Sequence, residues 1–259
     1  MKLLPDNEKE WRIYFYLGIV SADLDEFSDS EKYLTELINI SPRNPVGYSN
    51  LGRIFLVQEK YEEAIIVLIN GEKIAPNSWS VMYLLGSAYN RVKNYEKAER
   101  ALEHASMIRP EDTSTLTVLA SVYDNLKKYD ESDDLHLLIL SRDPTNSTIL
   151  NNYAYSLSVR GIKLKEALEM AQVAVKTSPK NPAYLDTLGW IYFKLGMIDQ
   201  SAEYVKRSIE IDQTSAEVLE HMGDIQQELG NMEKAKEYYQ RALEADETES
   251  TTIEKNIFK

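Results

Sequence analysis

The chain is 259 residues long and sets 42 Asp and Glu against 29 Lys and Arg, a formal net charge of −13. That excess of acid disfavours nucleic acid as a partner, because phosphates are met by Lys and Arg. Zero cysteines exclude disulfides and thiolate metal sites, and no stretch approaches the ~18–20 apolar residues of a membrane-inserting helix.

From the N-terminus, residues 1–10 lack the apolar run of a signal peptide. Residues 3–7, LLPDN, read as the tail of a preceding unit. One pattern then recurs. Leu17-Gly18 is followed by Phe27 and Pro42, and Leu51-Gly52 by Phe55 and Pro76. Leu85-Gly86 stands 34 residues after Leu51-Gly52, and Pro110 stands 34 after Pro76. Leu119-Ala120 leads to Tyr129 and Pro144, Leu188-Gly189 to Tyr192, and Met222-Gly223 to Ala235, Tyr239 and Ala242. Self-similarity at this period marks a helical-repeat array. The anchors place units at 11–44, 45–78, 79–112, 113–146, 147–181, 182–215 and 216–249, with one extra residue in 147–181 at its Arg160–Leu164 turn. Residues 250–259 read as a polar capping helix, with Ile253 and Phe258 available to pack on Tyr238. No Gly- or Ser-rich linker interrupts the series, which predicts one continuous solenoid.

Each unit reads as two amphipathic helices. Tyr48, Leu51, Ile54 and Phe55 share one helical face, and Tyr61, Ala64, Ile65 and Leu68 share another after a break at Glu59-Lys60. Pro76 stops the second helix. A glycine inside a helix costs about 1 kcal/mol relative to alanine, so Gly52 and Gly86 predict places where two helices approach closely. Units of this kind bury their apolar faces only against their neighbours.

At these residues the chain resembles the tetratricopeptide repeat family. Tyr48, Leu51, Gly52, Phe55, Ala64, Leu68 and Pro76 follow the family pattern in order, with Gly71 in place of its second Ala. Met82, Leu85, Gly86, Tyr89, Ala98, Leu102, Ala105 and Pro110 follow it in the next unit. Ser132 and His136 replace an Ala and a large apolar residue, and Gln213 and Glu247 replace Pro. The resemblance implies an all-α fold, a right-handed α-solenoid whose first helices line a concave groove that holds peptides. The stretch from Asn151 to Trp190 is similar to a segment of many bacterial proteins of the family, some of them exported or lipid-anchored. The compartment is left open.

Nothing marks a catalytic centre, cofactor or metal site. His104, His136 and His221 lie in different units without H-E-x-x-H or other paired spacing, and each reads as a satisfied or exposed histidine. Neither a G-x-x-x-x-G-K-[ST] loop nor G-x-G-x-x-G is present. The acidic run from Asp23 to Asp29 lacks the Gly and distal Glu of a calcium loop.

The first helices therefore carry the expected site. Arg53, Tyr83 and Arg91 are placed on the groove in the early units, then Asn151, Asn152 and Tyr155, then Asp186, Trp190 and Phe193, and last Glu220 and Asp224. Trp190 and Phe193 share a face, Tyr155 holds the place of Trp190 one unit earlier, and both are expected as aromatic anchors or as packing between helices. Asn151 and Asn152 suit a peptide backbone. Glu217, Glu220, Asp224 and Glu228 form one acidic stripe, which predicts a protein or peptide ligand with a basic segment. The expected function is a non-catalytic interaction scaffold, as a monomer. The alternatives are the recruiting part of a larger enzyme, such as a transferase, and end-to-end self-association.

Overall fold

In this computed structural model the backbone is described for residues 6–257 and the side chains for 10–245. Residues 3–5 and Phe258 lie outside the described residues, as does the Ile253 side chain. Among the described residues every regular element is a helix. The helices are α1 (Asp6–Asp23), α2 (Phe27–Ile40), α3 (Pro45–Val57), α4 (Tyr61–Ile74), α5 (Trp79–Arg91), α6 (Tyr95–Ile108), α7 (Thr113–Asn125), α8 (Tyr129–Arg142), α9 (Ser147–Arg160), α10 (Leu164–Thr177), α11 (Pro182–Lys194), α12 (Ile198–Ile211), α13 (Ala216–Glu228) and α14 (Met232–Ile257).

Local chemistry sets where they begin and end. Asn44 and Asn181 cap α3 and α11 by accepting from the amides of Val46 and Tyr184, with Pro45 and Pro182 in the first turn. Asp112 and Asn146 cap α7 and α9 in the same way. Between the helices of a pair the chain turns left-handed: at Asp25, Glu59, Lys93 and Lys127 in four pairs, at Gly196 and Gly230 in two, and at both Gly161 and Lys163 between α9 and α10. Glycine reaches that conformation without strain. Helix α12 has no Pro beyond it, yet it stops at Ile211, because Asp212 accepts from the Thr214 amide and hydroxyl at 2.9 and 2.7 Å and folds the chain into a turn.

At the C-terminal end the structure departs from expectation. Glu247 stands where other units carry Pro, nothing arrests the helix, and α14 runs on through 250–257 as one element instead of a separate capping helix. Residues 6–10 likewise belong to α1.

The chain divides into two compact units, 1–132 and 133–259, where sequence alone predicted no division. In the first, α1/α2, α3/α4 and α5/α6 pack as hairpins, and α3, α5 and α7 lie side by side. Leu34, Leu37, Leu51 and Ile54 form a core there. In the second, α9/α10, α11/α12 and α13/α14 are the hairpins, and α9, α11 and α13 are neighbours in turn. Among its described residues, cores form on Tyr153, Leu157, Leu188 and Ile191 and on Val205, Leu219, Met222 and Ile225.

The glycines expected at close approaches are fitted to partners. A Cβ on Gly52 would stand 2.6 Å from Leu68 Cγ, and one on Gly86 2.5 Å from Leu102 Cγ. Where the first helix carries Ala154, a small residue answers it, since Ala154 and Ala171 are fully buried in one core.

Candidate partner-binding face

Of the eleven residues placed on the groove, Arg53, Tyr83 and Arg91 fall in unit 1–132 and the other eight in 133–259. In the first unit they are drawn into local contacts. Arg53 is exposed, and its guanidinium donates to Asn50 Oδ1 at 3.1 Å. Tyr83 stacks on Trp79 with ring centres 5.4 Å apart. Arg91, the last residue of α5, reaches back over the Tyr61 ring of α4 and donates to its hydroxyl at 2.6 Å. Its charge is therefore shared with a neighbouring helix instead of standing clear on the first-helix face.

The second unit gathers its residues on α9, α11 and α13. At its centre is a buried ion pair that sequence reasoning did not pick out. His221 Nδ1 donates to Asp186, with the two carboxylate oxygens at 3.0 and 3.1 Å and both side chains 8% exposed. Burial by itself lowers the His221 pKa. The hydrogen bond to Asp186 and the charges of Asp186, Glu217 and Asp224 more than reverse this, so the net shift is upward. A signal for the pair did exist. Asp186 and His221 are 35 residues apart, close to the repeat period, which is the spacing of contacts between successive first helices.

Trp190 stacks on the histidine of this pair. Its ring lies 3.9 Å from the His221 ring at 14°, with Phe193 stacked 5.0 Å away and Lys194 Nζ 4.5 Å from its centre. With 9% of its surface exposed, Trp190 packs between helices, which is the second of the two roles expected for it. What it keeps unspent is Nε1–H, a buried donor without a partner. Asn151 on α9 is the counterpart. It is 6% exposed, and its Oδ1 is a buried acceptor without a partner.

Tyr155 spans from α9 to α13 and donates its hydroxyl proton to Glu217. Burial raises its pKa first, followed by the charge and hydrogen bond of Glu217 and the charges of Asp186 and Glu220. Three carboxylates on two helices thus bear on one phenol. Asp224 accepts from the Tyr239 hydroxyl of α14 at 2.7 Å, and burial, then Asp224 and Glu220, push that phenol up to about 12. Glu217 and Glu220 remain exposed. Asn152 is half-buried beside Asn151. The face offers buried polar groups at its floor and carboxylates at its rim. Among the described residues no group of side chains is arranged to hold a metal ion, and no helix is long and apolar enough to cross a membrane.

Residues 80–112, 183–215 and 216–249 match the tetratricopeptide repeat family model. A TPR repeat-containing protein of Pseudomonas aeruginosa is 32% identical over 72 residues, 28% of this chain. The chain covers only 12% of that relative's length. Among solved structures, a tetratricopeptide repeat protein from Parabacteroides merdae is similar with a TM-score of 0.77 at 17% identity, over 96% of this chain and 99% of that one. YrrB, described as a TPR protein with an unusual peptide-binding site, is similar with a TM-score of 0.54 at 16% identity, over 72% of this chain and 95% of its own. Identities this low show a shared fold.

Proposed function

We propose that this chain, which carries tetratricopeptide repeats, is a non-catalytic interaction scaffold that holds an extended peptide or partner helix on the α9–α11–α13 face. The observation that carries the reading is the grouping around Tyr155. Carboxylates of Asp186, Glu217 and Glu220 converge there, beside a helix whose Asn151 keeps a buried acceptor unpaired. A peptide main chain supplies the N–H and C=O groups that such a floor can pair with. A basic segment answers the rim, because complementary charge guides encounter and register. The peptide site described for YrrB supports the class of ligand.

Selection from a random decapeptide library tests the reading. Wild-type protein is expected to enrich peptides containing Arg or Lys, and Tyr155→Ala with Glu217→Ala and Glu220→Ala to lose them. Equal enrichment by both proteins would place the binding surface elsewhere.

A further inference from the structure

The proton on His221 lies where it controls the charge of this face. Asp186 and His221 are both buried, and the Trp190 ring stacks on His221. With His221 protonated, the Asp186 charge is cancelled inside the protein. With His221 neutral, Nδ1–H still bonds Asp186, but the carboxylate keeps a full negative charge where screening by water is weak. Asp186 also holds the same register place in α11 as Asn151 in α9 and Glu220 in α13. The three form a row of oxygen acceptors, and the Asn151 member has no partner.

We propose that this face takes an arginine or lysine side chain of its partner beside Asp186, and that binding is coupled to loss of a proton from His221. The inference rests on the peptide-binding reading above and adds its charge specificity and its regulation. The incoming cation and the imidazolium compete for one carboxylate. The proton leaves from Nε2 to solvent, and Nδ1–H stays on Asp186.

The charged and titratable groups around the pair come from four helices. From α11 come Asp186 and Lys194, the latter over the Trp190 ring. From α13 itself come Glu217 and Asp224, which favour the imidazolium. From α9 the Tyr155 hydroxyl bonds Glu217, and from α14 the Tyr239 hydroxyl bonds Asp224. Both phenols are shifted upward and stay neutral while His221 titrates, which leaves the imidazole as the group that changes the charge.

Linkage is reciprocal: if a bound cation lowers the His221 pKa, raising the pH tightens binding by the same factor. One pKa unit corresponds to a tenfold change.

The test uses a blocked decapeptide alternating arginine and threonine, titrated calorimetrically at constant ionic strength. Arginine stays charged throughout. Affinity is expected to be about tenfold higher at about pH 9 than at about pH 5.5, for a displacement of one pKa unit. Saturating peptide is expected to move the His221 imidazole titration, followed by NMR on the wild type, to lower pH. His221→Gln flattens the affinity profile although His136 is still present, and Asp186→Asn weakens binding at both pH values. Tight binding with a flat profile and an unmoved imidazole overturns the proton coupling alone. Failure of this peptide while uncharged library peptides bind overturns the cation site. Failure of every peptide at either pH removes the peptide-binding reading together with this one.

Discussion

Asp186 and His221 lie on neighbouring first helices, 35 residues apart, and hold each other through Nδ1 and both carboxylate oxygens. The pair makes stability depend on pH in a defined direction. Burial opposes the imidazolium, yet Asp186, Glu217 and Asp224 raise its pKa above the ordinary 6.5. Stabilisation from such a group is complete below 6.5 and is lost as pH rises through the folded value. Urea midpoints are expected to fall from about pH 6 to about pH 9 in the wild type, and this part of the fall to vanish in His221→Gln. Asp186→Ala strands the buried histidine and is expected to cost about 3–5 kcal/mol.

Tight packing at Gly86 gives a second prediction. Alanine there meets Leu102 Cγ at 2.5 Å. Overpacking of this kind costs about 1–3 kcal/mol, against a gain of about 1 kcal/mol in helix propensity. Gly86→Ala is expected to be destabilising, and less so when combined with Leu102→Ala, which reproduces the Ala154 and Ala171 arrangement. A double-mutant cycle on urea unfolding measures the coupling, and strictly additive losses would contradict it.

Backbone strain supplies a third. Lys93 turns left-handed with φ of 58°, where the equivalent turns of the last three pairs carry Gly161, Gly196 and Gly230. Lys93→Gly is expected to raise unfolding free energy by roughly 0.5–1 kcal/mol, the relief of left-handed strain less the added freedom of the unfolded chain. A loss of stability on denaturant titration would contradict this.

The Arg160–Asp133 pair offers a fourth. It is two-pronged, at 2.6 and 3.3 Å, with side chains only 10% and 21% exposed. Arg160→Lys keeps the charge but loses the planar fork, and is expected to cost about 1 kcal/mol by thermal or urea unfolding. An unchanged midpoint would show that the fork adds nothing beyond charge.

The repeat made most of the fold legible, because each anchor predicts the next and the helix boundaries follow caps and prolines that can be read directly. Two outcomes were less accessible. Arg91 was placed on the groove by register, but it is the last residue of α5, so its long side chain turns back to Tyr61 on an earlier helix. His221 reads from sequence as a satisfied or exposed histidine with no partner named, because Asp186, which satisfies it, lies one repeat away and outside any local motif. Trp190 shows the limit of register from the other side. Register places it on the groove face, but the His221 ring it stacks on belongs to a residue outside the expected groove positions.

The close-fitting pairs also bear on how such a chain can change. Gly18 meets Leu34, Gly52 meets Leu68, Gly86 meets Leu102, Gly189 meets Val205 and Gly223 meets Tyr239. Each of these five matches joins the two helices of one hairpin and closes inside a copy, whereas Gly47, whose Cβ would stand 2.7 Å from Leu37 and 2.8 Å from Ile38, carries a volume constraint from α3 to the preceding copy. A copy can be duplicated, lost or exchanged with its own lock intact. The bonds between copies, such as Asp186 with His221, are then free to diverge and give one stretch of a uniform array a chemistry of its own.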